Sequence, residues 1–183
     1  MPEYDADLAN SYRYTSPRIS AEALAKFVDK NARIHDARAG TGLVEVELIN
    51  LGFTNIETGD MSEGMLKEAK KKGVYSRLRK IVLGPDMELD GEEYDAVISV
   101  GTLTVGHAPK ESLLPFSKAT GRYGYIVFTL RSDILEESGY DDYLRNMVES
   151  EVWIEEEASE NYQPLPLGEP NTLHRGWVCK KLP

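Results

Sequence analysis

The sequence predicts a three-layer α/β sandwich around a mostly parallel sheet, and three observations carry that prediction. Strand-like and helix-like stretches alternate along most of the chain, the order that parallel strands joined by crossover helices require. Two stretches, 94–101 and 124–130, keep a continuous apolar centre, as strands covered on both faces do. Between 32 and 60 the chain reads strand, glycine turn, helix, strand. A turn of that kind brings bare backbone and helix N–H groups up to a ligand. An acid about 20 residues further on, here Asp60, suits a ribose hydroxyl pair.

The elements follow in order. Residues 1–18, with Tyr4, Tyr12 and Tyr14 among polar neighbours, show no period and are expected to form an irregular arm or lid. Ser20 is a suitable cap for a helix over 21–29, with Ala23, Leu24, Phe27 and Val28 as its apolar stripe. A strand over 32–36, a turn through Gly40 and Gly42 and a helix over 43–51 come next. Gly52 stops that helix, and a strand runs from 53 to 60. Ser62 caps a further helix that buries Met65, Leu66 and Ala69. Its last turn is Lys70, Lys71 and Lys72, cations that favour a helix C-terminus, before a Gly73 cap.

A third strand is expected over 78–83, then an acidic loop over 84–93 and the strand at 94–101. His107, Ala108 and Pro109 lead into a helix ending near Thr120 and Gly121, followed by the strand at 124–130. Tyr140, Tyr143, Leu144, Met147 and Val148 have helical spacing. A weak strand over 152–156, a proline-containing loop over 159–171 and a final strand over 173–181 complete the chain. Trp153 and Trp177, in the late strands, are expected in the core.

The 183 residues are 41% hydrophobic and 28% charged, which fits one domain over 1–183, with its α/β core over 19–183. A formal net charge of −10 repels nucleic acid and anionic membrane. The single cysteine, Cys179, excludes an internal disulfide and fits a reducing compartment. No apolar run approaches the roughly 18 residues of a spanning helix. The N-terminus lacks the basic-then-apolar order of a signal peptide, so a cytoplasmic location is expected.

Two cofactor classes use a glycine turn after the first strand and an acid after the second. The dinucleotide pattern requires a third glycine three residues beyond Gly42, where Glu45 stands. The methyltransferase pattern places an acid at the end of the first strand and glycines at alternate positions after it. Asp36, Gly40 and Gly42 meet that pattern, with Arg38 at the first glycine position.

At this point the chain resembles the class I S-adenosylmethionine-dependent methyltransferases, and among them the methyltransferase-like proteins named for the Williams–Beuren chromosomal region. The resemblance rests on an ordered set of short motifs. These are residues 39–44 (Ala-Gly-Thr-Gly-Leu-Val), Gly59-Asp60-Met61-Ser62 with Met65, Leu66 and Ala69, and Lys72-Gly73-Val74-Tyr75. Tyr94-Asp95-Ala96-Val97, Gly101 to Thr104 with Gly106 and His107, and Phe128-Thr129-Leu130-Arg131 complete it.

The resemblance implies a Rossmann-like α/β/α sandwich of seven strands with the last antiparallel, S-adenosylmethionine as cofactor, and a small-molecule or protein methyl acceptor. It implies that Gly40, Thr41 and Gly42 line the methionine part of the cofactor, with Asp36 beneath the turn near the amino group. Asp60 would take the ribose hydroxyls, Met61 would pack on the adenine, and Gly101 would face the methyl-transfer side.

Three positions depart from the family pattern. Arg38 adds a long cation where the family has glycine; it turns outward, meets the methionine carboxylate, or obstructs the pocket. Gly121-Arg122-Tyr123-Gly124 stands where the family has a Pro-Gly-Gly turn, and His35 replaces an aliphatic residue in the first strand.

His107 is the candidate general base, or else a cap for the following helix. Tyr12, Tyr14 and Arg18 could close over the site or pack on the sheet edge, and Arg131 could bind an anion or make a surface ion pair. His35, His107 and His174 lack ligand spacing, so no metal site is expected. A non-catalytic binding protein of the same fold and a nicotinamide-dependent oxidoreductase are the competing functions.

Overall fold

The apolar runs become the strands and the amphipathic runs the helices that cover them. The computed structural model describes residues 13–38, 40–73, 75–87, 89, 91, 94–103 and 107–183. The strands are β1 (Ile34–Asp36), β2 (Ile56–Asp60), β3 (Arg77–Lys80), β4 (Tyr94–Ser99), β5 (Thr120–Arg131), β6 (Trp153–Ala158) and β7 (His174–Lys181). The helices are α1 (Ser16–Leu24), α2 (Leu43–Asn50), α3 (Glu63–Lys72), α4 (Leu113–Ala119), α5 (Ile134–Glu137) and α6 (Tyr140–Glu149).

The strands form one seven-stranded sheet in the order β3-β2-β1-β4-β5-β7-β6. β3, β2, β1, β4 and β5 pair in parallel. β7, last in the chain, runs antiparallel to both β5 and β6. The Rossmann-like sandwich with an antiparallel last strand is therefore present.

Two cores flank the sheet. On one face Ala21 and Leu24 of α1 and Val44 and Leu48 of α2 pack on Ile34, Ile56, Ile98, Val127 and Val178. On the other, Leu113, Phe116 and Met147 pack on Val97, Ile126 and Phe128. Trp177 stacks on Phe128 at 5.5 Å between ring centroids, with Trp153 at 6.1 Å, so both tryptophans are core residues. Among the described residues no helix is long and apolar enough to cross a membrane.

Several boundaries differ from expectation, each for a local reason. α1 starts at Ser16 because Pro17, with its preset φ, occupies the first turn, and Ser20 is buried inside the helix instead of capping it. The arm therefore ends before residue 16; Tyr4 and Tyr12 lie outside the described residues. Ser62 does cap α3, accepting from Met65 N at 3.3 Å, but only Ala69 of the expected apolar stripe is fully buried. Gly73 closes that helix at φ +71, after the three lysines.

β5 begins at Thr120, because no proline interrupts it. Between the pairs Tyr94↔Thr120 and Ala96↔Tyr125, two steps on β4 face five on β5, and the surplus bulges out with Tyr123 exposed at φ +62. Gly124 is required there, since a Cβ would lie 2.7 Å from the Asp95 carbonyl.

β3 is shorter than predicted and has exposed ends. The β3–β4 connection carries no helix among its described residues. Leu83, Met87 and Leu89 of that connection pack on the core, and a polar group around Glu57 lies beside them. Arg33 Nε donates to Glu57 Oε1 at 2.8 Å, Tyr94 OH donates to Oε2 at 3.0 Å, and Arg79 Nη2 donates to Tyr94 OH at 3.1 Å. Burial works against the Glu57 charge, but these donors and the two arginines outweigh it and hold the carboxyl below its usual range.

His35, fully buried, lies 4.9 Å from the Tyr94 ring, and neither ring nitrogen finds a hydrogen-bond partner. Burial, with Arg79 adding to it, pushes its pKa down to about 3, so the ring is neutral. The unexpected histidine thus sits beside the polar cluster of Glu57, Arg33 and Arg79.

Candidate cofactor and active site

The carboxyl ends of β1, β2 and β4 meet at a cleft of about 350 Å³, walled by Tyr14, Arg38, Thr41, Asp60, Met61 and His107 among others. This is where ligands bind in open parallel sheets, beyond the strand ends where the connections diverge.

The turn after β1 is built around left-handed glycines. Gly40 has φ +50, and Gly42, at the N-cap of α2, has φ +86. A Cβ on Gly42 would stand 2.9 Å from Glu45 Oε2 and 3.3 Å from Tyr75 OH, so this position has room only for hydrogen. Arg38 needs no such freedom. Arg13, Tyr123 and Glu151 are the described non-glycine residues at positive φ, and Arg38 is not among them.

Asp60 is tied to that turn. Its Oδ2 accepts from Gly40 N at 3.1 Å and its Oδ1 from Ser62 N at 2.7 Å. Each oxygen keeps a further lone pair for a ligand. Asp36 is fully buried beneath the turn and does not reach the cleft wall. It accepts from Arg38 N at 3.3 Å and from Tyr75 OH at 3.4 Å. Burial, the larger effect, raises its pKa to about 7 despite those two donors.

Thr41 is the informative side chain. It is 2% exposed, it lines the cleft, and its Oγ1 has no hydrogen-bond partner. A buried hydroxyl of that kind costs about 1–3 kcal/mol unless a ligand satisfies it. With the glycine cradle beside it at the start of α2, the turn fits a polar, amino-acid-like ligand group.

On the far wall Gly101 has φ +64 and donates its N–H to Thr129 Oγ1 at 2.9 Å. The Tyr14 hydroxyl occupies the space a Cβ on Gly101 would take. Met61 is 61% exposed at the rim, available to cover a planar group.

The chain is 35% identical over 136 residues to human methyltransferase-like protein 27; the match covers 72% of this chain and 55% of the human protein. The chain is a homologue of that protein and spans about half of its length. No family model matches it.

Solved structures show the same fold. An S-adenosylmethionine-dependent methyltransferase from Mesorhizobium loti superposes with a TM-score of 0.65 at 16% identity, covering 87% of this chain and 96% of that one. Geranyl diphosphate methyltransferase in complex with S-adenosylmethionine superposes with a TM-score of 0.64 at 10% identity, covering 90% and 85%.

Among the predicted site residues, Gly40, Thr41, Asp60, Met61, Gly101 and His107 gather on the cleft wall, and Gly42 and Asp36 lie just behind it. His107 is exposed there and does not cap the next helical segment, whose N-cap is Pro109. Tyr14 joins the wall. Arg18 instead pairs with Glu22 at 3.0 Å, and Arg131 with Asp133 at 2.7 Å, both on the surface. No cluster of three or more metal-ligating side chains occurs among the described residues.

Two residues at the site escaped sequence reading. Glu45 registered only as the wrong residue for a third glycine, yet it is fully buried. Its signal was position, three residues before Leu48 on the buried side of α2. Tyr75 gave no local signal of its hydroxyl reaching back to β1.

Proposed function

We propose that the chain binds S-adenosylmethionine in this cleft and transfers its methyl group to a small-molecule or protein acceptor. The observation that carries the reading is the buried, unpartnered Thr41 hydroxyl on a glycine turn that Asp60 holds in place. The cofactor supplies an activated methyl on a sulfonium, so the protein's task is to align, desolvate and, where the acceptor must lose a proton, accept it.

Each residue then has a part. Gly40, Thr41 and Gly42 receive the methionine end through backbone N–H groups and the Thr41 hydroxyl. Asp60 accepts from the ribose hydroxyls, and Met61 covers the adenine. Arg38, on the cleft wall, meets the methionine carboxylate, with its fork matched to that group. Tyr14 and Gly101 border the methyl-transfer side, and His107 is placed to take a proton from the acceptor.

The charge of −10 favours a neutral or cationic acceptor over nucleic acid. The buried Glu45, close against Gly42, disfavours a dinucleotide, whose pattern needs a third glycine at that position.

The test is calorimetric titration with S-adenosylmethionine and with its demethylated product. Saturable binding of both is expected. No heat up to high-micromolar ligand would overturn the reading. Binding without product formation across a broad acceptor panel would instead favour a non-catalytic binding protein.

A further inference from the structure

Behind the cofactor turn, on the side away from the cleft, lies a group of side chains with no part in the proposed reaction. Asp36 and Glu45 are both fully buried. Tyr75 OH stands between them, donating to Asp36 Oδ2 at 3.4 Å. Neither Glu45 oxygen has a hydrogen-bond partner. Glu45 and Tyr75, with Lys72, crowd Gly42: a Cβ built on it would lie 2.9 Å from Glu45 Oε2, 3.3 Å from Tyr75 OH and 3.4 Å from Lys72 Cδ.

The charges facing this group are few. Lys72 approaches from the end of α3, favouring an ionised Glu45, and Asp60 approaches from β2, opposing an ionised Asp36. The phenol carries one proton and can serve only one carboxylate. Two carboxyls in closed space cannot both ionise cheaply. Burial raises Asp36 and Glu45 alike to about 7, and their mutual repulsion adds to it for Glu45. Burial, then the two acids, push the Tyr75 phenol up, so it stays protonated.

We propose that Glu45 and Tyr75 are positioning residues for the cofactor turn, holding with Asp36 one shared carboxyl proton beneath Gly42 that a positively charged ligand group above the turn expels to solvent. The proposal rests on the reading of the cleft as an S-adenosylmethionine site. Its chemistry balances simply: ligand plus protonated pair gives complex plus one proton taken up by buffer. Affinity should therefore rise with pH while the pair still holds its proton, and level off once both carboxyls are ionised in the free protein.

Two measurements test it. In the ligand-free protein, side-chain carboxyl carbon NMR should show Asp36 and Glu45 titrating near neutrality, and Glu45→Gln should move the Asp36 midpoint down. Ordinary carboxylate midpoints for both would overturn the shared proton, whether or not the protein binds cofactor.

In calorimetry with S-adenosylmethionine, run in buffers of different ionisation enthalpy, binding should release protons at pH 6. Affinity should increase about three- to tenfold from pH 6 to 8. Glu45→Gln should bind with a flatter pH profile, and Tyr75→Phe, which removes a donor that favours the ionised carboxyls, should shift the rise in affinity to higher pH. An unchanged pH profile in both variants would overturn the coupling. No binding at any pH would overturn the functional reading and the coupling together, leaving the carboxyl titration to decide the shared proton.

Discussion

The amide of Gly40 donates to Asp60 Oδ2 at 3.1 Å, so the end of β2 holds the turn that follows β1. Turn and acid are thus one unit, oriented before any ligand arrives. Asp60→Ala removes the proposed acceptor for the ribose hydroxyls and the acceptor that holds the Gly40 amide. Hydrogen bonds to a charged group contribute about 1.5–3 kcal/mol each, so S-adenosylmethionine affinity should fall by at least tenfold. Calorimetry checks this, with far-ultraviolet circular dichroism confirming that the fold persists.

Arg38 replaces a glycine without forcing the backbone into the left-handed region. Its effect is therefore a side-chain effect. If its guanidinium meets the methionine carboxylate, Arg38→Gly should weaken cofactor binding by roughly tenfold, the strength of one charge-assisted contact. Tighter binding by the glycine variant would show that the arginine obstructs the cleft.

Gly101 and Tyr14 compete for the same volume. Gly101→Ala should push the Tyr14 ring aside and reduce cofactor affinity several-fold. Because the crowding is with the hydroxyl, Tyr14→Phe in the same chain should recover part of the loss. The left-handed φ of +64 would leave a residual cost of about 1 kcal/mol. A double variant no better than the single one would place the defect in the backbone alone.

His35 predicts a pH effect on stability. Its folded pKa of about 3 lies below the ordinary value of 6.5, so the unfolded chain binds more protons between those limits. Stability conferred by this site is therefore lost as pH falls from 6.5 toward 3, amounting to about 2 kcal/mol at pH 5. Urea denaturation of His35→Leu should show a more stable protein, with the gain larger at pH 5 than at pH 7. Asp36 and Glu45 act oppositely. Their raised pKa values favour the folded state at low pH, and that advantage is lost as pH rises from their ordinary values toward 7.

What the sequence revealed and what it hid divide along physical lines. The glycine turn, Asp60 and the Ser62 cap are local devices, each recognisable within a few residues, and all are present. Local signals mislead at two places: Ser20 looks like a cap but lies inside a helix that starts at Ser16 ahead of Pro17, and Gly121 to Gly124 suggest a break that β5 absorbs as a bulge. The Tyr14 hydroxyl over Gly101 and the Tyr75 hydroxyl against Asp36 join positions 87 and 39 residues apart, and only tertiary packing brings them together.

The β3–β4 connection, which carries no helix among its described residues, bears on motion. β3 is a four-residue edge strand, paired on one side only and tied to the sheet face through Arg79 and its polar neighbours. Short edges with few apolar anchors are the first segments to open transiently, so the amides of β3 should exchange with solvent sooner than those of β4 or β5. Ser76, which latches the start of this edge by donating its N–H and its hydroxyl to the Ile56 carbonyl, directly follows Tyr75. Fraying of the edge would withdraw the phenol from under Gly42, making the lifetime of the cofactor turn depend on how long the sheet's outermost strand stays closed.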